Sequence, residues 1–126
     1  MILLDTSILI DALTGPRRSA PSLRKAIERG ERVLVPALVL YEWLRGPRLK
    51  AELLAQESLF PRTDSVPFGP EECALAATLY RKVSHPRGRE IDLAIAACAI
   101  ARAAYLWTLN ASDFRDVPDL RLWSVS

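Results

Sequence analysis

Cysteine, histidine, asparagine and glutamine are scarce in this chain of 126 residues: two, one, one and one respectively. Cys73 and Cys98 stand 25 residues apart with no C-x-x-C, which argues against both a four-ligand zinc site and a disulfide framework. Such cysteine usage suits a reducing compartment. The sole histidine, His85, lies in Ser84-His85-Pro86-Arg87 and reads as a surface residue at a helix end. No apolar run approaches the roughly 18 residues that a membrane span requires. The opening Met1-Ile2-Leu3-Leu4-Asp5 lacks the basic region of a secretory signal and reads as a first strand. A soluble, cytoplasmic protein is expected.

Charge of one sign is also lacking. The net charge is only +2, so no global basic field demands nucleic acid. Lysine is rare beside arginine, 3 against 14. The planar guanidinium fork suits phosphate and carboxylate recognition, although a GC-rich gene or a hot habitat gives the same bias. Half of the residues are apolar and a quarter are charged, enough for one sizeable core. Residues 1–126 therefore read as a single domain without internal repeats or linkers.

Strands and helices alternate along the chain. Residues 1–5 read as a buried strand, and Asp5, Thr6 and Ser7 offer capping oxygens to a helix at 7–13. A surface helix over 22–29 closes at Gly30, and 33–35 is a second strand ended by Pro36. Helices are predicted over 37–45 and 48–59, with a weak strand signal at Val66. Pro70 suits a first helical position, and Cys73, Ala76, Ala77 and Tyr80 share one helical face. A further apolar helix covers 90–102. Strands follow at 105–109 and 120–125, with Asn110–Phe114 a loop or short helix between them. This order predicts a three-layer α/β/α fold with a mostly parallel central sheet.

The informative residues are single acids inside core-like sequence: Asp5 within residues 1–10, Glu42 within 33–44 and Asp92 within 91–101. No Lys or Arg lies in any of the three windows. An unpaired buried carboxylate costs several kcal/mol or takes up a proton, so each needs a partner from elsewhere or a shared cation. Asp5 ends a strand and Asp92 opens a helix, and ligands of open parallel sheets bind beyond the strands' carboxyl ends. Asp113 follows the 105–109 strand. Acids converging there make an oxygen-rich pocket suited to Mg²⁺ or Mn²⁺. Plainer roles exist for each: Asp5 as a helix cap, Asp92 as a first-turn acid, Glu42 in a structural ion pair and Asp113 as a turn former.

Ile2-Leu3-Leu4-Asp5-Thr6-Ser7, Leu40-Tyr41-Glu42-Trp43-Leu44-Arg45-Gly46, Ile91-Asp92-Leu93-Ala94-Ile95-Ala96-Ala97 and Thr108-Leu109-Asn110-Ala111-Ser112-Asp113-Phe114 together resemble PIN-domain ribonucleases. Within that family they look most like the VapC toxins of toxin–antitoxin pairs, and the likeness runs over essentially the whole chain. The resemblance implies metal binding by Asp5, Glu42 and Asp92, with Asn110 or Asp113 as the fourth ligand. It implies Mg²⁺-dependent (or Mn²⁺-dependent) hydrolysis of RNA that inhibits translation or growth, an antitoxin partner and a homodimer. Thr6, Ser7 and Thr108 are candidates for hydroxyl assistance at the site, and Glu90 reads as a solvated first-turn acid.

Arginines near the ligands are candidates for holding phosphates: Arg17 and Arg18, Arg45 and Arg48, Arg87 and Arg89. Trp43, Trp107 and Trp123 lie in apolar runs and read as core or interface residues rather than base-stacking platforms. Ile8, Leu9 and Leu13, and Leu49, Leu53 and Leu54 in the 48–59 helix, are candidate contact surfaces. A phospho-acceptor receiver domain shares the α/β order, but no suitable late lysine or mid-chain strand-end aspartate is present. A D-x-D phosphatase fails because position 7 is serine. A PIN-like module without activity, binding RNA or a partner, is disfavoured by the three intact acids.

Overall fold

The computed structural model describes residues 1–125. Four short strands, β1 (Ile2–Leu4), β2 (Val33–Leu34), β3 (Tyr105–Trp107) and β4 (Arg121–Leu122), form one sheet in the order β2-β1-β3-β4. Every pairing is parallel, with Ile2 opposite both Val33 and Tyr105, and Leu106 opposite Leu122. Six helices flank the sheet: α1 (Thr6–Leu13), α2 (Ala20–Glu28), α3 (Ala37–Arg45), α4 (Lys50–Leu59), α5 (Pro70–Lys82) and α6 (Glu90–Ala101). The three-layer α/β/α arrangement is the one expected from the sequence.

The strands are shorter than their apolar runs. The predicted 105–109 strand ends at Trp107, because the Thr108 hydroxyl accepts the Asn110 N–H at 3.0 Å and turns the chain. The predicted 120–125 strand is reduced to two residues. Val66 forms an isolated parallel bridge with Pro36, its N–H bonded to the Val35 carbonyl at 2.9 Å. α2 starts earlier than predicted, with Pro21 in its first turn, and ends at Gly30, whose φ of +89° takes the left-handed turn a side chain would resist.

The inner strand β1 is wholly buried, paired along both edges and packed against α1. α6 is buried from Leu93 to Ala99 and packs on β3, α3 and α5. A helix apolar on every face belongs inside a protein, and its alanines let neighbouring elements approach closely. The first turn of α6, carrying Asp92, is thereby drawn to the end of the sheet.

One reading of apolar surface needs correction. Ile8, Leu9 and Leu13 are core residues, not a contact surface, since α1 lies between β1 and helices α2, α3 and α4. Leu49, Leu53 and Leu54 do face outward. Trp43 and Trp107 are buried, and Trp123 is partly buried, edge-on to Tyr105 with ring centroids 5.6 Å apart. No helix among the described residues is long and apolar enough to cross a membrane.

Candidate metal and catalytic site

Asp5 directly follows β1, which lies between β2 and β3, and its N–H continues the ladder to the Trp107 carbonyl at 2.9 Å. Strand order reverses between β1 and β3, and beyond the carboxyl ends of strands at such a switch point is where ligands of open parallel sheets bind. Asp5 occupies the N-cap position of α1 with extended backbone, yet its side chain makes no capping bond. Instead Asp5 Oδ2 accepts two hydroxyls, Thr108 Oγ1 at 2.7 Å and Ser7 Oγ at 3.0 Å. Each hydroxyl has one proton, and both point at the same oxygen. The 3.3 Å approach of Ser7 to Thr108 is therefore a consequence of this convergence. Ser7 Oγ also accepts the Leu109 N–H at 3.0 Å, which ties the start of α1 to the chain leaving β3.

Thr6 performs the same service for Glu42. Its hydroxyl donates to Glu42 Oε1 at 2.5 Å, joining α1 to α3. Arg45 stands 3.5 Å from Glu42 Oε2 and is largely exposed, so it screens this carboxylate only weakly. The hydroxyls of Thr6, Ser7 and Thr108, read in the sequence as candidates for assistance at the site, are thus engaged by the protein's own acids. They orient the carboxylates.

Asp92 lies in the first turn of α6, half-buried. Burial is the main cause that raises its carboxyl from 3.8 to about 6, followed by the charges of Asp5, Glu42 and Asp113, with Arg89 opposing. Acids from three other parts of the chain therefore act on Asp92 at this end of the sheet. Glu90 stands apart, since its Oε2 accepts the Gly88 N–H at 3.2 Å and closes the loop before α6.

Asp113 sits in the single 3₁₀ turn Ala111–Phe114, exposed, and its charge reaches Asp92. Asn110 precedes that turn, also exposed, and makes no side-chain capping bond there. The acids are spaced for electrostatic influence rather than closed on one point: among the described residues, no three His, Cys, Asp or Glu side chains form a ready-made ion cage. This donor set fits Mg²⁺, which keeps several waters and takes only one or two carboxylates directly.

Two of the arginines read as phosphate-binding are committed to protein groups instead. Arg48 lies over the Trp43 ring at 4.2 Å and donates to the Trp43 carbonyl at 2.9 Å. Arg89 grips Asp116 with both terminal nitrogens, at 2.6 and 2.8 Å. Arg45, beside Glu42, is exposed, as are Arg87 in the loop before α6 and Arg17 and Arg18 beyond α1. Sequence reasoning missed the Arg89–Asp116 pair and also Glu72, a buried first-turn acid of α5 whose partner is Arg102, 3.4 Å away at the end of α6. Neither pair has a local signal, because the partners are 27 and 30 residues apart.

Comparison with known proteins gives the family and agrees with the fold. The PIN domain family model matches residues 2–120. Ribonuclease VapC19 of Mycobacterium tuberculosis is 34% identical over 123 residues, covering 96% of this chain and 98% of its own length. Among solved structures, VapBC from Salmonella typhimurium, crystallised bound to DNA, superposes with a TM-score of 0.77 at 20% identity, covering 99% of this chain and 98% of that one. VapBC2 from Rickettsia felis, bound to a DNA fragment from the promoter, gives 0.75 at 21% identity, covering 98% and 100%. At these identities the structural likeness speaks for the fold alone.

Proposed function

The chain belongs to the PIN-domain family, and from that premise we propose that it is a divalent-metal-dependent endoribonuclease, the toxin half of a VapBC-type toxin–antitoxin pair. The full-length similarity to a protein named a ribonuclease supports the activity, and the fold shared with VapBC complexes supports the pairing. One observation carries the reading furthest. Asp5 stands where a carboxylate would cap a helix and does not cap it, being held instead by Thr108 and Ser7 with its charge acting on Asp92.

Asp5, Glu42 and Asp92 are the side chains that would hold Mg²⁺ or Mn²⁺, with Asn110 or Asp113 as the fourth. When bound, such an ion supplies Lewis-acid polarisation of a phosphoryl oxygen and acidifies water. The chain's own contribution is orientation and charge. Ser7 and Thr108 hold Asp5 through one oxygen and leave the other free of protein hydrogen bonds among the described residues. Thr6 does the same for Glu42, whose second oxygen meets only the exposed Arg45. A carboxylate not fully engaged by cation can accept the proton of the attacking water. Exposed Arg45, beside Glu42, and exposed Arg87, five residues before Asp92, are the side chains we assign to hold RNA phosphates.

A cognate antitoxin, a homodimeric state and a cytoplasmic site of action that inhibits growth or translation complete the proposal. Incubation of the purified protein with single-stranded RNA tests the central claim. Cleavage is expected with Mg²⁺ or Mn²⁺ and lost with EDTA or in Asp5→Asn. Cleavage that persists in Asp5→Asn overturns the assignment. Binding of RNA without cleavage in any metal would favour an inactive PIN-like module.

A further inference from the structure

We propose that Arg89 is a positioning residue, whose guanidinium fork clamps the 110–117 segment onto the start of α6 and so sets the spacing of Asp92 and Asp113. This rests on the reading of those acids as a cation site, and concerns what fixes that site's width.

The clamp has three bonds. Arg89 Nη1 donates to Asp116 Oδ2 at 2.8 Å, and Nη2 donates to Asp116 Oδ1 at 2.6 Å and to the Asp113 carbonyl at 2.9 Å. A bidentate, charge-assisted fork fixes orientation as well as distance. Its anchor is rigid, because Arg89 is the N-cap residue of α6 and its carbonyl accepts the Leu93 N–H at 2.9 Å. Leu93 itself is core. The turn before it, with Gly88 at φ +82° and a bond from Arg89 N–H to the Pro86 carbonyl at 3.0 Å, sets the side chain's direction.

Local preference argues against arginine at this place. N-caps favour Ser, Thr, Asp and Asn, and the positive end of a helix dipole disfavours a cation. A residue that breaks a local rule needs a gain elsewhere. The far side of the segment already has apolar anchors, Phe114 and Val117, both buried. What they leave unfixed is the exposed side carrying Asn110 and Asp113, and that is the side Arg89 holds. Arg89 is three residues before Asp92, so a single side chain spans the two halves of the site.

The test is Mn²⁺ affinity of the intact protein, measured by titration calorimetry, with Asp116→Ala, Arg89→Lys and the double variant. Asp116 is about half exposed, and lysine keeps the charge of Arg89 but not its fork. Each single variant is expected to lose about tenfold in Mn²⁺ affinity, the scale for groups that orient metal ligands. The double variant should lose no more than the worse single one, because both changes open the same clamp. Amide exchange at Asp113 and Phe114, followed without metal, should quicken in both variants while the amides of Leu93 to Ala99 stay protected. Unchanged Mn²⁺ affinity in both single variants overturns the proposal, whatever their melting temperatures. A wild-type protein that binds no Mn²⁺ overturns the cation reading itself and this assignment with it.

Discussion

Thr108 donates its hydroxyl to Asp5 Oδ2 across 2.7 Å, although the two residues are 103 positions apart in the chain. The bond links the ends of adjacent parallel strands, β1 and β3, and decides which way the Asp5 carboxylate faces. Without it, Asp5 would be free to turn back and cap α1, the position its backbone already occupies.

Thr108→Val removes that donor at nearly constant volume. We expect about a tenfold fall in kcat/KM on an RNA substrate and a stability loss of about 1 kcal/mol by urea denaturation. Equal kcat/KM in the variant and the wild type would refute the orienting role. Ser7→Ala should behave alike, and the two losses should be less than additive because both hydroxyls hold one oxygen.

The burial of Asp92, reinforced by the neighbouring acids, gives a signed pH dependence. Asp92 binds its proton more tightly in the folded state, with a pKa raised to about 6 mainly by burial and then by Asp5, Glu42 and Asp113. Between its unfolded value near 4 and about 6, the folded state holds more protons than the unfolded one, so stability falls as pH rises. The loss is at most about 3 kcal/mol and is reduced by solvent screening. Metal-free protein should therefore melt at lower temperature at pH 7 than at pH 5. Asp92→Asn should flatten that slope, and a slope unchanged in the variant would show that Asp92 is not its source.

Divalent cation should reverse the penalty at neutral pH. Addition of millimolar Mg²⁺ or Mn²⁺ is expected to raise the melting temperature of the wild type, because a ligand of the folded state alone stabilises it. Asp5→Asn should abolish most of the rise. An identical rise in wild type and Asp5→Asn would place the ion elsewhere on the molecule.

Glu72 and Arg102 offer a test independent of activity. Glu72 is buried at the start of α5, and Arg102 reaches it from the end of α6. Arg102→Met leaves a buried carboxylate without its cation and should cost about 1–3 kcal/mol, less than for a fully buried pair because Arg102 is partly exposed. The double variant Glu72→Met/Arg102→Met should recover most of that loss. Urea titration of the three variants decides it, and a double variant as unstable as Arg102→Met would contradict this account.

Much of the fold was legible because it is written in local pattern. Apolar runs of strand and helix length, punctuated by Gly30, Pro36, Gly46-Pro47 and Pro70, gave the α/β order and, with small shifts, the helix boundaries. Strand ends were less legible. Tyr105-Leu106-Trp107-Thr108-Leu109 is uniform by hydropathy, and only the bond from Asn110 N–H to the Thr108 hydroxyl says where the strand stops. The outward or inward facing of Ile8, Leu9 and Leu13 could not be read either, since it depends on which helices lie over α1.

Asp5, Glu42 and Asp92 stood out in the sequence because a lone charge in an apolar run has to be answered from elsewhere, and that cost is set by chemistry before any fold is known. What answered them was decided only in three dimensions. Thr6 and Ser7 are neighbours of Asp5 along the chain, but which carboxylate each hydroxyl serves depends on how β1, α3 and β3 come together. The fate of Arg89 was likewise beyond the sequence: a guanidinium binds whichever oxygens the fold presents, and here it presents Asp116 and the Asp113 carbonyl. Residue type determines what a side chain must find, and packing of distant segments determines where it finds it.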